Sequence, residues 1–279
     1  MKTVNVLVIH SHSGGYRTWD YISENWRTFG RVRVKMTFKK FVTKDILESC
    51  NPDVLVLGDC AGAPYQFKDE EMSAIENFLE KHVEKHLLGT YALFYHREGT
   101  EGRMHVYDNR RLCELFGIRR GTEFGTKRLT DKPTYQIVEQ HPLIWKCIMQ
   151  PYTSRGYSST QIPKNQKWLE YGQSRSDVMT DNTSVLARSL DGFCVVLNHV
   201  TDKYSSLYIS HMPEYESLVG SNVDAQFLYN CIVFLVSQNV NTTLSDLCCK
   251  CLVERKRAYQ GLPFALSLKL KRMRDEVEQ

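Results

Sequence analysis

The sequence predicts an α/β protein built on a mostly parallel sheet with helices over both of its faces. Two short runs, Val4–Ile9 and Asp53–Leu57, are continuously apolar at their cores and end in polar, glycine-containing loops, as strands buried on both faces do. Segments of helical periodicity separate such runs, the pattern of parallel strands joined by helical crossovers. A chain of 279 residues, 42% hydrophobic and 24% charged, has ample material for a sizeable core.

The elements follow in order. After the strand at Val4–Ile9, Trp19, Ile22, Trp26 and Phe29 recur at helical spacing up to Gly30. Val32–Phe38 alternates like a strand, Thr43–Ser49 reads as a short helix, and Asp53–Leu57 is the second apolar strand. Asp69 stands where an N-cap is expected, with Glu70 and Glu71 in the first turn, where the helix dipole favours acids. Met72, Ile75, Phe78, Leu79 and Val83 form the apolar face of that helix. Leu87–Tyr95 reads as a strand, and Asp108–Phe116 as a helix closed by Gly117.

The second half changes character. From about Phe124 to Asn182 the chain is polar and broken by Pro133, Pro142, Pro151 and Pro163, which predicts loops and short strands over the sheet's edge. Phe193–Val200 and Ser206–Ser210, separated by a turn at Thr201–Tyr204, predict an antiparallel hairpin. Asp224 is expected to cap a last helix over Phe227–Val236. Beyond Asn239, Leu244–Ala258 and Phe264–Met273 read as two helices separated by Gly261 and Pro263. The expected organisation is therefore an α/β domain over residues 1–240 and a basic helical extension over 241–279.

Charge is unevenly placed. The net charge of +4 is too small to imply a specific nucleic acid partner, yet Lys250 to Arg274 holds eight Lys and Arg against one acid, Glu254. The extension is thereby a candidate surface for a protein partner. The apolar run at the N-terminus is too short for a signal-peptide core, and no stretch reaches the roughly 18 apolar residues of a membrane span. A cytoplasmic protein is expected, its nine cysteines mostly acting as small buried hydrophobes. Cys248 and Cys251 have the spacing of one helix face, which points to packing. No cofactor and no metal centre is expected.

The order of elements, together with the phrases "DVLVLGD", "FKDEEMSAIENFLEKH", "LLGTYALF", "YDNRRLCELFGI", "HPLIW" and "YISHMPEYES", resembles the class I glutamine amidotransferase-like superfamily, in particular its ThuA-like (trehalose-utilisation-type) branch. The likeness covers roughly residues 3 to 237. It implies a flavodoxin-like, three-layer α/β/α sandwich with its site beyond the carboxyl ends of the strands. In the amidotransferases a Cys stands on the elbow after the strand that follows the long helix, paired with a late His and Glu. Here the elbow is Gly89-Thr90-Tyr91-Ala92-Leu93, with Tyr91 or Ala92 in the thiol's place. The late motif is Ser210-His211-Met212-Pro213-Glu214, with an extra residue between His and Pro. Without a thiol no glutamyl thioester forms, so glutaminase activity is not expected.

Other residues compete for the chemistry. Gly58-Asp59-Cys60-Ala61-Gly62 follows a strand and fits a nucleophile elbow, with His211 or His199 as base. A partial resemblance to the α/β-hydrolases supports that alternative, with "VIHSHSGGYRTWDYI" as the oxyanion loop. Against it stands the reading in which the two glycines simply permit a turn, Cys60 packs as a small residue and Asp59 lines the cleft. His10 and His12 lie in the loop after the first strand, where His, Ser and Gly residues, with Arg17, suit a polar or anionic ligand. His96 and Arg97 follow the elbow strand and point to the same rim, or to a solvated loop. His211 and Glu214 fit an acid–base pair in which Glu214 orients the imidazole, or a surface turn shaped by Pro213.

The expectation is a diverged ThuA-like or amidotransferase-like protein that binds a small polar, sugar- or amide-like metabolite. Its candidate catalytic residues are Cys60, His211 and Glu214, and its candidate ligand-binding residues are His10, His12, Asp59, Tyr91, His96 and Arg97. The alternatives are a Cys60-dependent hydrolase and a non-enzymatic interaction module that uses the basic extension.

Overall fold

The structure, a computed structural model, describes residues 3–9, 16–58, 66–82, 84–94, 96–97, 107–137, 152–164, 178–215 and 222–238. The expected helices beyond Asn239 and the Cys248–Cys251 cluster lie outside these residues.

A nine-stranded mixed sheet organises the chain. Strands β1 (Thr3–Ile9), β2 (Arg33–Lys39), β3 (Val54–Leu57) and β4 (Lys85–Thr90) run parallel, joined by α1 (Tyr16–Phe29), α2 (Lys44–Cys50) and α3 (Asp69–Lys81). The strands β11 (Thr183–Ser189), β12 (Val195–Val200) and β13 (Tyr204–Ile209) form an antiparallel run, of which β13 lies parallel to β4. The short strands β8 (Thr134–Ile137) and β9 (Tyr152–Thr153) complete the order β2-β1-β3-β4-β13-β12-β11-β8-β9. Beside it stand a pair, β5 (His96–Arg97) with β6 (Tyr107–Asp108), and a trio of β14 (His211–Met212), β10 (Tyr157–Pro163) and β7 (Phe124–Arg128).

Alternation of side chains along the strands divides the core by face. Val4, Val6 and Val8 of β1 share one apolar cluster with Trp19, Ile22 and Phe29 of α1 and with Phe227, Leu228 and Ile232 of the last helix, α4 (Asn222–Ser237). Leu7 and Ile9 turn the other way, into a cluster with Leu47 of α2, with Met72, Ile75 and Phe78 of α3, and with Leu112 and Phe116. The molecule is thus an α/β sandwich with helices against both faces of the sheet, and no helix among the described residues is long and apolar enough to cross a membrane.

Local chemistry moved several boundaries. Thr43 caps α2 as its position suggests, its hydroxyl accepting from the Ile46 amide at 3.2 Å. Asp69, expected as an N-cap, is instead the first helical residue of α3, and Lys68 is the cap. The cause is Glu71, whose buried carboxylate reaches back to accept from the Lys68 amide at 3.0 Å and from the Val42 amide at 3.3 Å. The strand expected to run to Tyr95 stops at Thr90, because Tyr91 takes a left-handed conformation (φ 48°) and opens a 3₁₀ turn over Tyr91–Phe94. The helix expected at Asp108–Phe116 is a 3₁₀ helix over Arg110–Phe116, closed by Gly117 at φ 69°.

Asp224 lies within the first turn of α4 and serves another purpose than capping. Its buried carboxylate accepts from Tyr152 Oη, from Ser154 Oγ at 3.0 Å and from the Arg155 amide at 2.8 Å, which fastens the helix to β9 and the turn after it. The hairpin β12–β13 forms as the alternation predicts. Its neighbour β11, which begins directly after the polar stretch, was not expected, yet five of its seven residues are buried.

Candidate functional site

The parallel strands end together. In register, Ile9 of β1 stands beside Leu57 of β3, Leu57 beside Gly89 of β4, and Thr90 beside Ile209 of β13. Chain leaving these four strands therefore emerges on one rim of the sheet. In an open parallel sheet that rim is where ligands bind.

Glu214 is brought to this rim and buried there, 2% exposed. Its Oε1 accepts a hydrogen bond from the hydroxyl of Thr90, the last residue of β4. A Cβ at Gly58, which follows β3, would lie 3.6 Å from the same Oε1 and 3.8 Å from Thr90 Oγ1, so the carboxylate spans the ends of both strands. The Glu214 main-chain carbonyl accepts from Thr18 Oγ1 of α1 at 2.7 Å. Thr90 thus holds the carboxylate of Glu214, and Thr18 holds its main chain.

His211 lies three residues earlier but has different company. Its ring is completely buried, 5.0 Å from the Tyr135 ring and 6.4 Å from those of Tyr152 and Phe227, measured between centroids. Nδ1 is 2.5 Å from Tyr135 Oη, and Nε2 has no hydrogen-bond partner among the described residues. Burial pushes the imidazole pKa down to about 3, and the positive charge of Lys132 acts in the same direction. No hydrogen bond joins His211 to Glu214. The geometry therefore differs from a triad, in which the carboxylate would hold Nδ1.

The backbone around this segment is tightly set. A Cβ at Gly156 would stand 2.3 Å from the Met212 carbonyl oxygen and 3.0 Å from Pro213 Cα. Only glycine lets the turn before β10 press so closely on the chain between His211 and Glu214. Lys132 Nζ donates to the Gly156 carbonyl and holds that turn from the other side.

Tyr91 occupies the elbow after β4. It is 7% exposed, and its main-chain carbonyl accepts from Tyr208 Oη at 2.6 Å. Tyr208 also donates toward Gln161 Oε1 at 2.8 Å, and the same oxygen accepts from the Phe94 amide at 3.3 Å. Gln161 of β10 therefore braces the strained turn. Tyr91 packs with Ala92 and Met212, which places the elbow against the segment carrying His211 and Glu214. A non-glycine residue at positive φ is uncommon and costly, and here the bracing over-determines it.

The remaining expected residues are distributed as follows. His10, His12, Asp59 and Cys60 lie outside the described residues. His96 and Arg97 do not continue the elbow strand; they form β5, antiparallel to β6, with His96 opposite Asp108 and Arg97 opposite Tyr107. His199, an alternative base, sits on β12 with Nδ1 3.1 Å from Thr183 Oγ1, and burial lowers its pKa. A separate cleft of about 290 Å³ lies between α2 and α3, lined by Lys44, Leu47, Glu70, Asn77, Phe78 and His82 among others, and shares no residue with the rim.

Sequence reasoning missed Thr18, Tyr135, Gln161 and Tyr208, which hold the functional groups in place. Thr90 was legible only as a letter of the elbow phrase. No protein-family model matches this chain, and no curated protein matches it either.

Proposed function

We propose that this protein is a diverged ThuA-like member of the class I glutamine amidotransferase-like superfamily, with a flavodoxin-like three-layer core, that binds a small polar sugar- or amide-like metabolite without glutaminase activity. The strand order β2-β1-β3-β4-β13 supports the fold assignment, since it reproduces the 2-1-3-4-5 order of doubly wound flavodoxin-like sheets. The observation that carries the functional reading is Tyr91. The chain keeps a braced, left-handed elbow at the end of β4 but sets a buried phenol there in place of a thiol. A strained elbow without its nucleophile is the remnant of covalent chemistry, beside a rim where Thr90 and Glu214 are hydrogen-bonded to each other.

Two measurements test this. Purified protein should release no ammonia from glutamine. In a thermal panel of mono- and disaccharides and carboxamides, at least one compound should raise the melting temperature of the wild type but not of Thr90→Val, with both proteins giving the same circular dichroism. Saturation about a hundredfold above Kd adds about 2.7 kcal/mol, which such a scan reads easily. Ammonia release, or a flat response across the whole panel, would overturn the reading.

A Cys60-dependent hydrolase is the second reading, favoured by one observation: Gly58, two residues before Cys60, lies against Glu214 at the rim. A nucleophilic Cys60 would label rapidly with iodoacetamide near neutral pH, because reactivity follows the thiolate. Slow labelling removes that class.

A further inference from the structure

The outer edge of the nine-stranded sheet carries more charge of one sign than folding calls for. Residues 27–44 hold seven Lys and Arg and no Asp or Glu. Within them lies β2, the outermost strand, which pairs with β1 on one side. Val34, Met36 and Phe38 of β2 turn into the apolar cluster shared with α1 and α4. By alternation, Arg33, Lys35, Thr37 and Lys39 stand on the opposite face, where all three cations are exposed. Same-face positions recur about every 6.6 Å along a strand, so these side chains form one straight row.

Little of the described chain competes for that row. Thr3 stands beside Arg33 and Asn5 beside Lys35, and both are exposed. The short helix α2 buries only Leu47, which packs in the cluster of Leu7 and Ile9 farther along β1. The Asp53 carboxylate, on the β3 side of Asn5, accepts from the Asn5 amide at 2.8 Å. Ion pairs among the described residues involve Lys44, Arg110, Arg111 and Lys164, and none involves the row.

Charges on an edge strand often serve to keep another sheet away. Here hydrogen bonds already blunt the edge. The Met36 amide donates to Ser23 Oγ of α1 at 3.3 Å. Just before β2, Tyr229 Oη accepts from the Val32 amide at 3.0 Å and donates to the Val32 carbonyl at 2.9 Å. The cations stand on the sheet's face instead, where they suit a partner laid across it. A second copy of this chain would set like charges together, and the segment Lys250–Arg274 has the same sign. A single nucleic acid strand matches the charge, but such surfaces stack successive bases on several aromatic rings. Phe41 is the one large exposed apolar side chain next to the row among the described residues, and the Lys40 ammonium lies over its ring at 5.6 Å.

We propose that the exposed face of β2 is a docking surface for an extended acidic peptide of a partner protein, whose carboxylates at alternate positions pair with Arg33, Lys35 and Lys39. Asp or Glu at every second residue of an extended chain repeats at the same interval of about 6.6 Å as the cations. Thr37, Asn5 and Thr3 add polar groups between and beside the charges. This surface is independent of the metabolite reading.

Fluorescence anisotropy of a labelled, alternating Glu-Thr dodecapeptide at near-physiological salt tests the proposal. The wild type should bind, and Arg33→Gln/Lys35→Gln/Lys39→Gln should weaken binding about tenfold, as expected for the loss of three exposed ion pairs. The variant Arg119→Gln/Arg120→Gln/Lys203→Gln removes the same charge from exposed positions elsewhere and should bind like the wild type. Circular dichroism checks that both variants are folded. Lys35→Gln alone should weaken binding about twofold to threefold, which keeps the test valid should the triple variant fold poorly. No binding by the wild type, or equal losses in the two triple variants, would overturn the proposal. So would tighter capture of oligouridylate or of phosphatidylserine vesicles than of the peptide.

Discussion

Acidification should destabilise this protein through His211 in a way that a single substitution removes. In the unfolded chain the imidazole titrates near its ordinary value of about 6.5. In the fold, burial brings it down to about 3. Between those values the unfolded state binds a proton that the native state does not. Stability is therefore complete above pH 6.5 and falls by about 1.4 kcal/mol for each pH unit below it, until the folded value is reached. At pH 5 the loss relative to pH 8 is about 2 kcal/mol, an order-of-magnitude figure, or roughly 4–8 °C in melting temperature for a chain of this size. The ring is fully buried, so solvent screening does not reduce the effect. Urea unfolding of the wild type and of His211→Gln at half-unit steps from pH 8 to pH 5 measures it. Other titrating groups, among them His199 and Asp224, contribute to both proteins alike and cancel in the difference. The wild type should lose about 2 kcal/mol more than the variant over this range. Parallel curves would show that His211 takes up its proton without unfolding, and would refute the argument from burial.

Other outcomes follow from local geometry. Gly117→Ala places a Cβ 1.8 Å from Thr183 Oγ1 and 2.6 Å from His199 Nδ1 at a φ of +69°, and should cost about 2–4 kcal/mol in urea unfolding. Asp224→Ala strands the donors at Tyr152, Ser154 and Arg155 and should cost about 3 kcal/mol or more, with Asp224→Asn recovering part of it. Gly89→Ala meets Leu93 Cδ2 and Phe116 Cζ, each at 2.7 Å; these side-chain ends can shift, so a smaller loss of about 1–3 kcal/mol is expected by calorimetry.

The parts of this protein legible in its sequence are those held by local pattern. The valines and leucines of β1 and β3 could only be strands buried on both faces, and both formed with nearly the expected bounds. The helix of Trp19, Ile22 and Phe29 and the hairpin β12–β13 followed from periods of 3.6 and 2. The strand β11 escaped because a bulge between Val185 and Ala187 interrupts its alternation, and because its pairing with β8 joins residues some fifty positions apart.

The site divides in the same manner. Glu214 and the elbow could be read as letters, because a short motif is linear in the chain. Their partners could not. Thr90 meets Glu214 across 124 positions, Thr18 meets it across 196, and Tyr135 meets His211 across 76. The sequence alone thus determined which segments become strands and helices, since periodicity and turn chemistry act over a few residues. Only the tertiary structure decided that His211 answers to Tyr135 and Glu214 to Thr90, because hydrogen bonds and desolvation depend on distances that appear once the sheet has closed its register.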